Sequence, residues 1–171
     1  MNIEQTLIIF KPHAIQRGVV GEILHRFERV GLKIVAVKML TASEEHLHKH
    51  YEEIGKVISR RGQKTFNVLL EMMREGPVVA MVLEGVEAVS LVRKLVGTTE
   101  PKSSPAGTIR GDYAHMSFAY ADKKNTDVYN LIHASGDAEE AKKEIAHWFS
   151  EHEIYSYETV HEKFTQLKRK K

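Results

Sequence analysis

Apolar residues follow two rhythms along the chain. Thr6 to Phe10 is a continuous apolar run ending at Lys11-Pro12, the pattern of a buried strand. From Val20 to Val30 the rhythm is helical: Ile23, Leu24, Phe27 and Val30 share one face, and Gly31 sits where a left-handed C-cap belongs. Lys33 to Leu40 is rich in β-branched residues and predicts a second strand. Ser43 is placed to N-cap a helix with Glu44 and Glu45 in its first turn. Arg60-Arg61-Gly62 is expected as a loop, after which Phe66, Leu69, Leu70 and Met73 resume helical spacing until Gly76-Pro77. Val78 to Leu83 is the most strand-like segment, and Leu91, Val92 and Leu95 mark a helix ending at Gly97.

Residues 98–128 carry Pro101, Pro105, Gly107 and Gly111 and are expected to be irregular, a long loop of the kind that usually serves function. Asn130 to His133 is a short last strand. Asp137-Ala138-Glu139-Glu140 has the form of a capping box, and Ala138, Ala141, Ile145, Trp148 and Phe149 form the apolar stripe of the helix it opens. The order β-α-β-(αα)-β-α-β-α predicts an α+β fold, an antiparallel sheet with helices on one face. No internal repeat or linker divides the chain.

Composition narrows the function. At 171 residues, 42% hydrophobic and 28% charged, the chain has the balance of one soluble globular domain. A formal net charge of +2 argues against nucleic acid as a partner, and the basic end Lys168-Arg169-Lys170-Lys171 reads as a solvated tail. There is no cysteine, which excludes disulfide and thiolate chemistry and fits a reducing cytoplasm. No apolar run is long enough for a signal segment or a membrane span.

The candidate chemistry lies in Asn130-Leu131-Ile132-His133-Ala134-Ser135-Gly136-Asp137. It puts one histidine at a strand end beside small residues that leave room for a substrate. Imidazole, with an ordinary pKa of about 6.5, is largely neutral near pH 7 and can act as a nucleophile without a separate base. Gly107-Thr108-Ile109-Arg110-Gly111-Asp112 adds an arginine, and Lys11 follows the first strand. One histidine among fixed cations suits phosphoryl transfer through a phosphohistidine. His46, His48 and His50 are expected on a polar helix face rather than around a metal, since no third ligand of suitable spacing accompanies them. No G-x-x-x-x-G-K-[ST] run supports a P-loop.

These blocks, together with Gly76-Pro77-Val78-Val79-Ala80-Met81-Val82 and Val92-Arg93-Lys94-Leu95-Val96-Gly97, resemble the nucleoside diphosphate kinase family over nearly the whole chain. The resemblance implies one such domain over residues 1–171, with 154–171 as a C-terminal extension. It implies a ferredoxin-like antiparallel sheet covered by helices, with an added helical hairpin and a long active-site and interface loop. It also implies a ping-pong transfer of the γ-phosphate of a nucleoside triphosphate to a nucleoside diphosphate. Magnesium is expected on the nucleotide phosphates rather than in a protein-only site, and a homo-oligomer, a tetramer or hexamer built from dimers, is expected. By position, His133 matches the phosphorylated histidine, Glu144 the glutamate that orients it, and Ser135 the serine that holds that glutamate. Lys11, Arg93, Arg110, Thr99 and Asn130 match phosphate and sugar contacts. Tyr51 matches a tyrosine near the lysine, and Thr65 and Leu69 match positions at the base.

Three positions depart from the family pattern. His13 stands where the family has aspartate, removing a carboxylate beside Lys11; Thr65 stands where an aromatic stacks on the base, with Phe66 next to it as a substitute; Gly136 stands where aspartate follows the serine. About six residues are inserted between Tyr51 and Phe66, and about ten between Arg110 and Asn130. The string Asp122 to Asp127 is expected as an exposed loop tip. These departures frame an alternative, a catalytically weakened nucleotide-binding regulatory module of the same family.

Overall fold

The computed structural model of the protein describes residues 3–165. The basic tail from Lys168 and the apolar Leu167 lie outside the described residues. Strand β1 spans Ile3–Phe10, three residues longer at its start than the apolar run. Pro12 then opens the short helix α1 (Pro12–Gln16) at the position where its missing N–H costs nothing. Helix α2 is Val20–Arg29, and Gly31 takes a positive φ of 85° as the strand β2 (Lys33–Leu40) begins. Ser43 caps α3 (Glu44–His48) by accepting from the His46 N–H, and the helix then widens into a π-helical turn over Lys49–Ile54. Helices α4 (Val57–Arg61) and α5 (Gln63–Met73) follow, then strand β3 (Val78–Val86) and helix α6 (Ala88–Val96). Helices α7 (Ile109–Tyr113) and α8 (Phe118–Lys124) precede strand β4 (Ile132–Ala134) and helix α9 (Ala138–Trp148).

The four strands form one antiparallel sheet in the order β2-β3-β1-β4, a ferredoxin-like arrangement. The central strand β1 pairs with β3 along its whole length and sets Ile9 opposite His133 in β4. Helices cover both faces of the sheet, which corrects the expectation of one covered face. Leu7 and Ile9 pack on one side against Met72 and Trp148, from α5 and α9. Ile8 and Phe10 pack on the other against Phe27 and Val92, from α2 and α6. All four strand residues are fully buried. An unbroken apolar run, instead of an alternating one, is what burial on both faces demands.

Other expectations change locally. Arg60 and Arg61 end helix α4, and only Gly62, at φ 88°, makes the turn. Residues 98–128 are not structureless: they hold a 3-10 turn at Pro101–Ser103 as well as α7 and α8. The Asp137 carboxylate caps α9 at the Glu140 N–H, 2.8 Å, but Glu140 returns to the Gly136 N–H, one residue before a capping box would place it. Ala138 is exposed; Glu144 takes its place in the buried stripe with Ala141, Ile145 and Trp148. Past α9, the Tyr155 N–H donates to the Val35 carbonyl at 2.8 Å, tying residues after 154 to the edge strand β2. The last described helix, α10 (Glu162–Thr165), carries an exposed Phe164.

Candidate active site

The C-terminal end of β1, the end of β4 and the first turns of α9 meet around one cavity. Glu144 is 1% exposed and sits one turn and a half into α9, where the helix faces β1. Its Oε1 lies 2.8 Å from His133 Nε2, and its Oε2 accepts from the Ser135 hydroxyl at 2.6 Å. The Ser135 oxygen in turn accepts from the Leu7 N–H at 3.2 Å, so both ends of the carboxylate are anchored to the sheet. With a carboxylate on Nε2, the favoured neutral tautomer carries its proton there and leaves a lone pair on Nδ1. Among the described residues Nδ1 has no hydrogen-bond partner, and the ring lines the cavity with 18% of its side chain exposed.

Leu131, two residues before His133, has a φ of 71°, a region that a leucine occupies only when its surroundings require it. His13 supplies part of that requirement: its Nε2 accepts the Leu131 N–H at 2.8 Å. Burial, with Lys11 and Arg17 nearby, pushes the His13 pKa down to about 3, so the ring is a neutral clamp. A carboxylate reaches Lys11 from the segment between Arg110 and Asn130. Asp127 reaches Lys11 Nζ at 3.7 Å and is only 13% exposed, so the expected loop tip folds inward at its end. Burial lowers the Lys11 pKa to about 8, with Arg110 and Arg61 adding to the fall and Asp127 opposing it.

Arg110 is buried at the base of α7. Its guanidinium donates to the carbonyls of Thr98, Gly97, Asn130 and Ile132, which fixes its plane beside the strand that carries His133. Burial and the guanidiniums of Arg93 and Arg61 press its pKa down, yet arginine starts high enough to remain charged. Arg93 is exposed on α6 and lines the same cavity. Asn130 donates to the Thr99 carbonyl at 2.9 Å, while its Oδ1 is buried with no partner among the described residues. The Tyr51 hydroxyl is likewise buried without a partner among the described residues; burial pushes its pKa up, with Asp127 and Glu144 adding to the rise. Thr65 and Leu69, on α5, line the cavity beyond them. The structure thus gathers all of Lys11, Tyr51, Thr65, Leu69, Arg93, Thr99, Arg110, Asn130, His133 and Glu144 around one space, with Ser135 behind Glu144.

Several neighbours were not foreseen. Phe66 is 4% exposed and packs in the core, so it does not substitute for an aromatic at 65. Phe118, from α8, lines the cavity instead and is 41% exposed, with the Arg61 guanidinium 5.9 Å from its ring centroid. Among the three histidines expected on a polar face, His50 is 1% exposed. The widened π turn carries both His50 and Tyr51 inward, a placement that regular helical spacing does not give. His50 Nδ1 accepts from the Trp148 indole N–H at 3.1 Å, and burial holds its pKa well below the ordinary value. Its 3.6 Å approach to Glu144 Oε1 is therefore not an ion pair. His50, His133 and Glu144 have the spacing of a metal site. However, the Trp148 indole already uses the His50 Nδ1 lone pair, and His133 Nε2 is turned to Glu144.

An imidazole fixed at one nitrogen and open at the other, in a cavity walled by lysine and arginine, is the equipment of a phosphotransferase acting on polyanions. Comparison with known proteins agrees. Residues 4–154 match the family model described as nucleoside diphosphate kinase. The nucleoside diphosphate kinase of Borreliella burgdorferi is 44% identical over 157 residues, covering 92% of this chain and 93% of that one. A solved structure described as a transition-state mimic of nucleoside-diphosphate kinase from Borrelia burgdorferi, with bound vanadate and ADP, superposes with a TM-score of 0.93 at 42% identity. It covers 96% of this chain and 97% of its own. A halophilic nucleoside diphosphate kinase from Halobacterium salinarum in complex with CDP superposes with a TM-score of 0.81 at 34% identity, covering 95% and 98%. The chain belongs to the nucleoside diphosphate kinase family.

Proposed function

We propose that this enzyme transfers the γ-phosphoryl group of a nucleoside triphosphate to a nucleoside diphosphate through phospho-His133. The observation that carries the reading is the His133–Glu144–Ser135 chain, which holds one ring nitrogen and frees the other. The Nδ1 lone pair attacks the γ-phosphorus. The bond to the β,γ-bridging oxygen breaks, and its electrons leave with the nucleoside diphosphate. In the second half, a terminal phosphate oxygen of another nucleoside diphosphate attacks the same phosphorus, and the N–P electrons return to Nδ1. The proton on Nε2 stays against Glu144 throughout, where the carboxylate offsets the positive charge that the ring gains.

Lys11, Arg93 and Arg110 face the equatorial oxygens, where charge spreads in the transition state. The Asn130 Oδ1 accepts from a sugar hydroxyl, and the Tyr51 and Thr99 hydroxyls donate to sugar or phosphate oxygens, which satisfies the buried Asn130 and Tyr51 atoms that have no partner among the described residues. Leu69 and Thr65 hold one side of the base, and Phe118 offers the aromatic surface lost at 65. Leu69, Val57 and the Phe118 ring offer apolar surface to any base, so the mouth accepts purines and pyrimidines alike. Magnesium bound to the phosphates would neutralise charge and order the chain of phosphates.

The same reading assigns residues 1–171 to a single domain with an extension from 154, in the cytoplasm. No helix among the described residues is long and apolar enough to cross a membrane. It also assigns a homo-oligomer built from dimers: Val37 and Met39, on edge strand β2, are 57% and 59% exposed and offer an apolar strip to a second copy.

The test is intact-protein mass after mixing with ATP and magnesium, then after adding a different nucleoside diphosphate. An acid-labile phosphoryl adduct that the second nucleotide discharges is expected, with none in a folded His133→Ala variant. A folded wild-type protein that binds ATP and forms no adduct would favour the regulatory-module alternative.

A further inference from the structure

The cavity holds three carboxylates, and two of them are spoken for. Glu144 is bound by His133 and Ser135, and Asp127 lies against Lys11. Glu140, one turn before Glu144 on α9, also lines the cavity and forms no ion pair among the described residues. Its Oε2 accepts the Gly136 N–H at 2.7 Å, and its other oxygen accepts no hydrogen bond among the described residues. A Cβ built on Gly136 would stand 2.3 Å from that Oε2. As placed, the carboxylate occupies the space beside the Gly136 Cα, and a side chain at 136 would push this flexible end aside.

An unpaired carboxylate beside a site for polyanions repels them unless a cation comes between. Its hard oxygen suits magnesium, which binds phosphate chains through one or two carboxylates and keeps much of its water. We propose that Glu140 is the carboxylate that faces the divalent cation carried by the nucleotide, accepting from the ion's water shell and so turning the phosphates toward His133. Glu140 is on this account a positioning residue. The inference rests on the nucleotide-transfer reading above, and it gives this chain an acidic group where position 136 has none.

The competing role is a purely structural cap on α9. Glu140→Gln separates the two, because the amide oxygen still accepts from the Gly136 N–H while the charge is lost. Calorimetric titration with ADP, in magnesium and again in EDTA, reads binding without turnover. The expected result is that wild type prefers ADP with magnesium and that Glu140→Gln reduces this preference about tenfold, with metal-free ADP bound no more weakly than by wild type. The double variant Gly136→Asp/Glu140→Ala, which moves the carboxylate across the turn, is expected to recover part of the preference. A preference unchanged in Glu140→Gln, or equal losses with and without magnesium, would overturn the role of Glu140 while leaving the transfer reading intact. Wild type with no preference for magnesium would overturn the magnesium reading as well.

Discussion

His133 and Phe118 line one cavity, and the chain holds them by different means. Around His133 the supports are buried and specific: Glu144 at 1% exposure, Ser135 at 0%, and His13 clamping the turn at Leu131. Around Phe118 they are looser: a seven-residue helix, with the ring itself 41% exposed. The reacting atoms must be held to fractions of an ångström, whereas a base platform only has to present a face. Damage at the floor should therefore appear in kcat, and damage at the mouth in KM.

Glu144→Gln is the strongest way to break that division. The glutamine amide favours the wrong arrangement of donors at His133 Nε2 and Ser135, and kcat is expected to fall by about three orders of magnitude. Steady-state kinetics would show a small change in KM beside it; a loss confined to KM would contradict the orienting role. Phe118→Ala is the matching change at the mouth. Loss of one aromatic–base contact is worth about 1–3 kcal/mol, so KM should rise roughly tenfold for purine and pyrimidine nucleotides alike, with kcat nearly unchanged. A KM effect on one base alone would mean that Phe118 selects rather than supports.

Asp127 lies between the two regions, since the segment that follows α8 delivers it to Lys11 on the floor. Removing it takes away the influence that raises the Lys11 pKa, already lowered by burial to about 8. The sign follows: Lys11 loses its proton at a lower pH, and the alkaline limb of kcat/KM moves down. For Asp127→Asn the expected cost is roughly threefold at pH 8, with little change at pH 6.5. A profile that keeps its alkaline limb would show that Asp127 does not support the charge on Lys11.

The same division decides how much the sequence could tell. The floor was legible because its residues are close along the chain: His133, Ser135 and Glu144 sit on a strand end, a turn and the helix that follows. The apolar run of β1 encodes cover on both faces, because Leu7 to Phe10 have no polar alternate. The mouth was less legible. Asp127 and Phe118 acquire their roles only when α8 folds across the cavity, a long-range placement that local pattern does not encode. His50 was hidden by the π turn, since a regular helix gives no reason to bury His50 and Tyr51 together.

Glu144 reserves one nitrogen of His133 and so dictates which nitrogen takes the phosphoryl group. Heteronuclear nitrogen–phosphorus NMR of protein labelled in its histidine rings and phosphorylated by ATP reads that nitrogen directly. The expected result is a phosphorus coupled to Nδ1 of His133, with Nε2 still protonated. Phosphorus on Nε2, or on any other residue, would contradict it.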